Sequence, residues 1–248
     1  MDIVPAKDRA RYAAWFLPEG PGGMVGAHVA HTAVGSIRAD RLVEPRAMVA
    51  EVPGNVALRG DPASLSPEAL DGLAGFVDAP AAWLPLLRAA DPGLASWDRL
   101  LFELPADVAV PRGEASLLTD ADVPAIAGFE ADGAWIHETW GGPEGLAASG
   151  MARGVFVDGR LVSIAATFYL GGTYEELGVV TDSAHRGRGH SRTAAAALVA
   201  DIRARGHVPG WSTSPDNAGS LAVADRLGFR PIGTGVLYAL RVPIPVTH

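Results

Sequence analysis

One short segment combines glycines and arginines in a spacing that suits the binding of an anion. It reads Arg186-Gly187-Arg188-Gly189-His190-Ser191, with Arg192 directly after it. Glycines permit positive φ angles and close approach of a ligand to the backbone, and a helix starting here would direct unsatisfied N–H groups at that ligand. Three arginines suit a pyrophosphate better than a single carboxylate. The segment therefore predicts a phosphate-binding loop.

Two familiar phosphate-loop patterns do not fit this segment. The dinucleotide pattern G-x-G-x-x-G requires a third glycine where Arg192 stands, and the Walker pattern requires a Gly-Lys-Ser/Thr ending that the segment lacks. An ordinary strand-to-helix turn with surface arginines is the structural alternative for the segment taken alone. The predicted elements on either side of the segment are needed to distinguish a phosphate-binding loop from such a turn.

The elements around the loop have clear local patterns. An antiparallel meander should precede it, because Asp158-Gly159 is typical of a tight hairpin turn. A helix should follow it, with apolar residues at i, i+3, i+4 and i+7. The expected strands are Gly154–Val157, Leu161–Tyr169, Tyr174–Thr181, Val208–Ser214 and Pro231–Leu240, and the expected helices are Ser191–Arg205 and Pro215–Leu227.

The first half of the chain has weaker sequence patterns for secondary structure and no recognisable motif. Pro105–Gly113 has a proline near each end and predicts a domain boundary, so we expect an N-terminal α+β domain at residues 1–108 and a second domain at 109–248. The role of the first domain is open, with acceptor binding as one alternative. Its expected helices are Ala6–Leu17, Ser66–Leu73 and Pro80–Ala90, and its expected strands are Arg46–Val52, Asn55–Arg59 and Leu100–Leu104.

Three segments of the second half resemble one known family. The loop resembles Arg-x-x-Gly-x-Gly/Ala, the coenzyme A pyrophosphate loop of the GNAT acetyltransferase superfamily, with Ser191 in the last position. Leu177–Thr181 is similar to that superfamily's splayed fourth strand. Asn217–Ser220, followed by Leu227-Gly228-Phe229, resembles its second cofactor motif. The resemblance spans about residues 112–240.

This resemblance implies an α/β fold of the GNAT type, with a central mixed, mostly antiparallel sheet, and acetyl-CoA as co-substrate. An amine would attack the thioester directly, and a backbone N–H near Val179 would polarise the thioester carbonyl. The residues that the resemblance assigns to acetyl-CoA are Val179, Val180, Thr181, Arg186, Gly187, Arg188, Gly189, His190, Ser191, Asn217 and Ser220.

Glu176 is the first candidate for the base that deprotonates the amine. A partly buried carboxylate on the fourth strand would have a raised pKa, whereas Glu175 should point to the opposite face; a sheet-surface carboxylate is the alternative for Glu176. In the superfamily that this chain resembles, a tyrosine usually protonates the departing thiolate. This chain has Ala224 at that position. Tyr238 or Tyr169 could substitute, or both could be core aromatics, and a thiol of pKa about 8.5 can leave without an acid.

The acceptor and metal assignments rest on single residues. Trp135, His137 and Trp211 lie where the resemblance places the acceptor side, with structural packing as the alternative. His28 and His31 are spaced i, i+3, but no third ligand stands nearby. We therefore expect no metal site.

Composition limits the classes of protein and partner. With 248 residues, 48% hydrophobic and 19% charged, the chain should form one or two globular domains. The absence of cysteine excludes disulfides and cysteine nucleophiles, and a net charge of -8 disfavours nucleic acid. No apolar run approaches the roughly 20 residues that cross a bilayer, and the first residues lack a signal-peptide pattern. We expect a cytoplasmic monomer or homodimer without a nucleic-acid or membrane partner.

These observations together predict an acetyl-CoA-dependent N-acetyltransferase that acts on the amine of a small molecule, such as an antibiotic or a metabolite. One alternative is a non-catalytic module that binds acyl-CoA and regulates another protein. Another keeps the fold but uses a different acyl donor. The sequence leaves the identity of the acceptor open.

Overall fold

The computed structural model describes residues 1–32, 34–111, 113–129 and 131–245. These residues form one mixed sheet with helices on both faces. The strands are β1 (Asp2–Ile3), β2 (Ser36–Ala39), β3 (Ala47–Val52), β4 (Asn55–Gly60), β5 (Gly75–Asp78), β6 (Ala95–Glu103), β7 (Ser116–Leu117), β8 (Ala152–Val157), β9 (Arg160–Leu170), β10 (Tyr174–Thr181), β11 (Val208–Thr213) and β12 (Arg230–Leu240).

The α-helices are α1 (Val25–His31), α2 (Leu84–Ala90), α3 (Val123–Ala127), α4 (Trp135–Glu138), α5 (Pro143–Ser149), α6 (His190–Ala204) and α7 (Ala218–Leu227). Short 3-10 helices occupy Ala6–Phe16, Pro62–Ser64, Pro67–Leu70, Ala81–Trp83, Asp120–Asp122, Ala131–Gly133 and Ser183–His185. Within the described ranges, no helix is both long and apolar enough to cross a membrane.

The sheet has the strand order β1-β2-β3-β4-β5-β12-β6-β11-β10-β9-β8-β7. The β4–β5 and β10–β11 pairs are parallel, and the other pairs are antiparallel. The predicted class, an α/β fold with a mixed and mostly antiparallel sheet, is confirmed.

The two halves of the sheet repeat one arrangement and exchange their last strands. Each half has an antiparallel pair (β3–β4, β9–β10) followed by a parallel pair (β4–β5, β10–β11). The next strand of the first half, β6, pairs with β11 of the second, and β12 pairs with β5 of the first. β6 and β12 also pair with each other, with Leu100 opposite Thr234. The division at residues 108 and 109 stays a prediction, since strands from both halves alternate at the centre of this sheet.

Helix α6 packs on β8, β9 and β10 through an apolar face that includes Ala195, Leu198 and Ile202. This face is the one that the 3.6-residue periodicity predicts. Helix α7 starts three residues later than expected because the side chain of Asn217 accepts a hydrogen bond from the Ser220 N–H and caps the helix there. The predicted helix bounds are therefore one residue off for α6 and wrong by one turn at the start of α7.

The first half contains elements that local patterns missed. The helices expected at Ala6–Leu17 and Ser66–Leu73 are present as 3-10 helices at Ala6–Phe16 and Pro67–Leu70, whereas α1, β2 and β5 were not predicted. Strands β2 and β5 are four residues each, too short to show a period-2 pattern. The turn at Pro53-Gly54 joins β3 to β4 as expected.

Candidate functional site

Strands β10 and β11 form a narrow opening in the sheet. They pair at Tyr174–Val208, Glu175–Pro209 and Glu176–Gly210. Beyond that point β10 continues to Thr181 and β11 to Thr213, and the described residues show no further pairing between them. The backbone groups along this stretch of β10 can accept an extended ligand as if it were an added strand.

The glycine–arginine loop lies at the end of β10, beside this opening. Gly187 and Gly189 have φ of +76° and +86°, and an added Cβ at either position would meet open space. Gly189 precedes α6, whose first turn carries no side-chain cap in the described structure, so its N–H groups are available to an anion. Arg186 and Arg188 are exposed on this loop. The loop therefore presents backbone donors, space and positive charge, which together fit a pyrophosphate.

Ser191 links the start of α6 to the end of β10. Its Oγ lies 2.7 Å from Thr181 Oγ1, which lies 2.7 Å from Ser163 Oγ. Ser163 donates onward to the Val180 carbonyl at 2.9 Å. The serine that departs from the usual glycine or alanine thus fixes the loop against the strand.

The side chains of Asn217 and Ser220, in the second predicted cofactor motif, form hydrogen bonds within the protein. Asn217 caps α7, and Ser220 Oγ accepts a hydrogen bond from Trp211 Nε1 at 2.9 Å. Trp211 is 4% exposed and packs against Phe229. Its burial and its donated N–H do not favour the acceptor contact expected from the sequence. Direct contacts of Asn217 and Ser220 with a ligand stay predictions.

Glu176 is buried at the point where β10 and β11 separate, with 4% of its surface exposed. Its Oε2 accepts the Gly22 N–H at 2.7 Å, and its Oε1 accepts the hydroxyl of Ser212. Ser212 Oγ in turn accepts a hydrogen bond from Arg99 Nη2 at 3.2 Å. Burial raises the pKa of Glu176, against the lowering effect of these hydrogen bonds. The direction of this shift is the one that favours a role as a general base.

Glu175, the neighbour on the same strand, has a different environment. Arg205 donates to both carboxylate oxygens at 2.8 and 2.7 Å, and Thr167 and His207 contact them at 2.6 and 2.9 Å. Burial opposes ionisation, but these hydrogen bonds lower the pKa of Glu175. The pKa values of the two neighbouring carboxyls are therefore shifted in opposite directions, down for Glu175 and up for Glu176.

A cavity of about 260 Å³, lined by both apolar and charged side chains, lies between the two halves of the molecule. The segment at residues 18–23 covers it, and Arg59, Asp78 and Arg99 line it together with part of β12. Gly22 and Arg99 connect this cavity to Glu176, the first directly and the second through Ser212. The opening in the sheet and the cavity therefore meet at Glu176.

Comparison with known proteins identifies this arrangement. The model of the family described as GNAT acetyltransferase matches residues 119–238. An uncharacterised N-acetyltransferase of Streptomyces virginiae is 39% identical over 212 residues, which cover 82% of this chain and 87% of the relative. This chain belongs to the GNAT acetyltransferase family. It is an N-acetyltransferase by family.

Solved structures of other GNAT proteins share the fold over nearly the whole chain. A GCN5-related N-acetyltransferase-like protein from Streptococcus suis covers 96% of this chain and 100% of its own, with a TM-score of 0.72 and 18% identity. A tandem GNAT protein from the clavulanic acid biosynthesis pathway covers 98% and 99%, with a TM-score of 0.55 and 12% identity. The likeness includes the first half, which the family model does not match.

The GNAT fold separates the two candidate tyrosines. Tyr238 lies in the core of the first half with Trp83 and Leu87, opposite Val77 of β5. Three strand spacings, about 14 Å, separate β12 from β10, so Tyr238 does not reach the opening and its assignment as a catalytic residue is corrected. Tyr169 pairs directly with Glu176. Burial, and then the charge of Glu176, raise the pKa of Tyr169 well above its usual value.

The acceptor-side residues of α4 lie beside the opening. Trp135 is 38% exposed and packs edge-on against Phe168, and its ring lies 3.0 Å from where a Cβ on Gly178 would be. A side chain on Gly178 would therefore displace Trp135. Nδ1 of His137 is buried and has no hydrogen-bond partner among the described residues, and burial lowers the pKa of His137.

His28 is a structural residue of the core. Its Nδ1 accepts the Leu170 N–H at 3.0 Å, so Nε2 carries the proton and donates to the Thr139 carbonyl at 2.9 Å. The side chain is fully buried, and burial lowers the pKa of His28 to about 4. The neutral ring ties α1 of the first half to β9 and to the end of α4.

Sequence analysis missed the residues that the first half supplies. Gly22, Arg59, Asp78 and Arg99 all line the cavity, but none belongs to a motif of the second half. Arg99 has no distinctive local signal, because its strand also contains Ser96, Asp98 and Glu103. The pattern of that strand does not indicate which strand lies opposite.

Proposed function

We propose that the protein transfers the acetyl group of acetyl-CoA to the amine of a small molecule, and that the cavity between the two halves admits the acceptor. The observation that carries the proposal is the opening between β10 and β11 with the glycine–arginine loop at its end. Acetyl-CoA supplies an activated acetyl group as its thioester. The loop would hold its pyrophosphate, and backbone groups of Val179–Thr181 would pair with its extended arm.

The chain's own residues would orient the amine and move its protons. The amine nitrogen bonds to the acetyl carbon and the carbon–sulfur bond breaks, so a starting ammonium gives up two protons. One ends on the departing sulfur, and the other passes to Glu176 and then to solvent. The Val179 N–H would stabilise charge on the carbonyl oxygen. Tyr169 lies beside Glu176 and replaces Tyr238 as the candidate proton donor.

The test of the cofactor site is calorimetric titration with acetyl-CoA. Arg186→Ala removes one charge from the loop, and Gly189→Val forces a branched side chain into a positive-φ position. Each change should weaken acetyl-CoA binding at least tenfold. Arg88→Ala, an exposed arginine on α2, serves as the matched control and should bind as the unaltered protein does. Unchanged affinity in both loop variants would refute the site.

One observation favours the alternative of an acyl-CoA-binding module without turnover. Ala224, at the position where the family carries a tyrosine, is fully buried in the core. Thiol release against a panel of amines separates the two functions. Binding of acetyl-CoA with release of thiol supports the transferase, whereas binding without release for every amine supports the module.

Three further expectations from composition stay predictions. They are a cytoplasmic location, a monomeric or homodimeric state, and the lack of a nucleic-acid partner. The net charge of -8 supports the last of these.

A further inference from the structure

The cavity between the halves contains a guanidinium group that lacks a direct carboxylate partner. Arg99 Nη2 donates to Ser212 Oγ. The Cζ atom of Arg99 lies over the Trp97 ring, 4.3 Å from the ring centroid. Its Nε is buried and has no hydrogen-bond partner among the described residues. An arginine carries five N–H donors, so most of the binding capacity of this side chain is unused by the described protein.

The nearby carboxylates do not supply the missing partner. Both oxygens of Glu176 are held by Gly22 and Ser212. Asp78 is held through Oδ2 by Arg59 at 2.5 Å. Within the described ranges, no carboxylate forms an ion pair with Arg99, although the charges of Glu176 and Asp216 act on it without a direct contact. A positive charge held in a cavity in this way stabilises an anion that enters it.

The lining of the cavity also contains a carboxylate, that of Asp78, which is paired with Arg59. Asp78 is 19% exposed, and its Oδ2 lies 2.9 Å from the place where a Cβ on Gly23 would be, so the covering segment leaves space only because it is glycine there. The Arg59 contact uses one of the two carboxylate oxygens of Asp78. The cavity thus presents the Arg99 guanidinium and the carboxylate of Asp78, whose second oxygen is not used by Arg59.

We infer that the acceptor is a small zwitterion with an amine and a carboxylate on the same or adjacent carbons, such as an α-amino acid. Arg99 binds its carboxylate, and Asp78 first receives its ammonium group. The inference rests on the proposed acetyl transfer and names its substrate class.

Size and connectivity support this class. A volume of about 260 Å³ is below the ~300–1,000 Å³ usual for pockets that hold drug-sized ligands. Only one hydroxyl, that of Ser212, separates Arg99 from Glu176. A carboxylate bound at Arg99 therefore places an amine one or two carbons away within reach of the base.

The experiment compares α-amino acids with their amides, which differ only in the loss of the carboxylate charge. Thiol release from acetyl-CoA is measured with glycine, alanine, serine and aspartate and with the four matching amides. Arg99→Met should lower kcat/KM for a reactive acid about tenfold to a hundredfold, as expected for a lost hydrogen bond to a charged group. The kcat/KM for the amide should fall much less than that for the acid, because the amide has no carboxylate to lose its partner, and the affinity for acetyl-CoA should be unchanged. Arg99→Lys should fall between the two, and Arg88→Met is the matched control.

Direct binding keeps the test decisive if none of these acids is turned over. Ligand-detected NMR of the same eight compounds, with the protein saturated with CoA, should show the acids bound and should lose that signal in Arg99→Met. Equal acid-to-amide ratios in Arg99→Met and the unaltered protein would overturn the inference. Normal binding of acetyl-CoA with no reaction and no binding of any acid would also overturn it. Failure of the proposed function is distinct, since acetyl-CoA itself would then not bind.

Discussion

Both halves of the sheet contain one parallel strand pair, and each pair is joined over three residue pairs. In the second half, β10 and β11 separate after Glu176 and Gly210, and Gly178 follows on β10. In the first half, β4 and β5 separate after Ala57 and Asp78. There Arg59 bridges the gap by donating to the carboxylate and to the carbonyl of Asp78, at 2.5 and 3.1 Å.

The segments that follow the parallel pairs also differ. After β10 come two open glycines and the 15-residue helix α6. After β4 come Asp61 and Pro62, and two short 3-10 helices occupy the place of a long helix. The same strand topology is therefore present twice, but among the described residues only the second half combines an unbridged gap with a helix N-terminus that has space in front of it. Under the proposed function, the second half alone would bind acetyl-CoA.

The largest effect should come from replacing Glu176, the candidate base at the point where β10 and β11 separate. Glu176→Gln should lower kcat about a thousandfold, in the range for loss of general base catalysis, with acetyl-CoA affinity unchanged. Because burial raises the pKa of Glu176, activity should rise with pH as the carboxyl loses its proton. Steady-state kinetics across pH measure both.

Glu175→Gln is the matched control for that experiment. It leaves an ionised Arg205 without its partner, so it should destabilise the protein rather than alter the pH profile of the reaction. A Glu176→Gln enzyme with full activity would remove Glu176 as the base.

His28 should make the stability of the protein depend on pH, because its neutral ring joins the two halves. Its folded pKa is about 4 and its unfolded pKa is about 6.5, so the unfolded chain binds the proton first as pH falls. The stabilisation is complete above pH 6.5 and is lost towards pH 4, by about 3 kcal/mol in the free energy of unfolding. Urea unfolding at pH 7.5 and at pH 4 measures the loss.

His28→Phe should be less stable at pH 7.5 and should lose this part of the pH dependence. His31→Gln changes an exposed histidine of the same helix and should keep it. The same acid-induced loss in His28→Phe as in the unaltered protein would contradict the assignment.

Opening the first-half gap should not create a second site. Arg59→Ala removes the bridge to Asp78 and should cost about 2 kcal/mol of stability, as for lost hydrogen bonds to a charged group. Acetyl-CoA should still bind with one site per chain, because the first half has no glycine loop. A second equivalent of bound acetyl-CoA in calorimetry would show that the gap alone suffices.

The smallest effect concerns the residue that departs from the family pattern. Ser191→Ala removes the first hydroxyl of the series through Thr181 to Ser163. The free energy of unfolding should fall by about 1 kcal/mol, and the affinity for acetyl-CoA should change less than threefold. A tenfold loss of affinity would instead make the Ser191 hydroxyl a ligand of acetyl-CoA.

Local signals explain what could be predicted. Strand β10 has the predicted bounds, Tyr174–Thr181, and α6 is within one residue of them, because hairpin turns, helix periodicity and glycine positions are encoded in neighbouring residues. The glycine–arginine loop is of the same kind. Its positive φ angles follow from residue type.

The contacts that were missed join distant parts of the chain. Gly22 meets Glu176 across 154 positions, and Arg99 meets Ser212 across 113. A strand's own pattern indicates which face is buried but does not name the neighbouring strand. Tyr238 was misplaced for this reason, because β12 carries it into the first half.

The exchange of β6 and β12 has a consequence for handling the gene. A fragment with residues 109–248 alone would contain β11 and β12 but not β6, which lies between them. Two unpaired edges would then face solvent at the middle of the sheet, and such edges favour aggregation. Fusions, truncations and circular permutations are therefore best designed to keep both halves in one polypeptide, with new termini placed in surface turns.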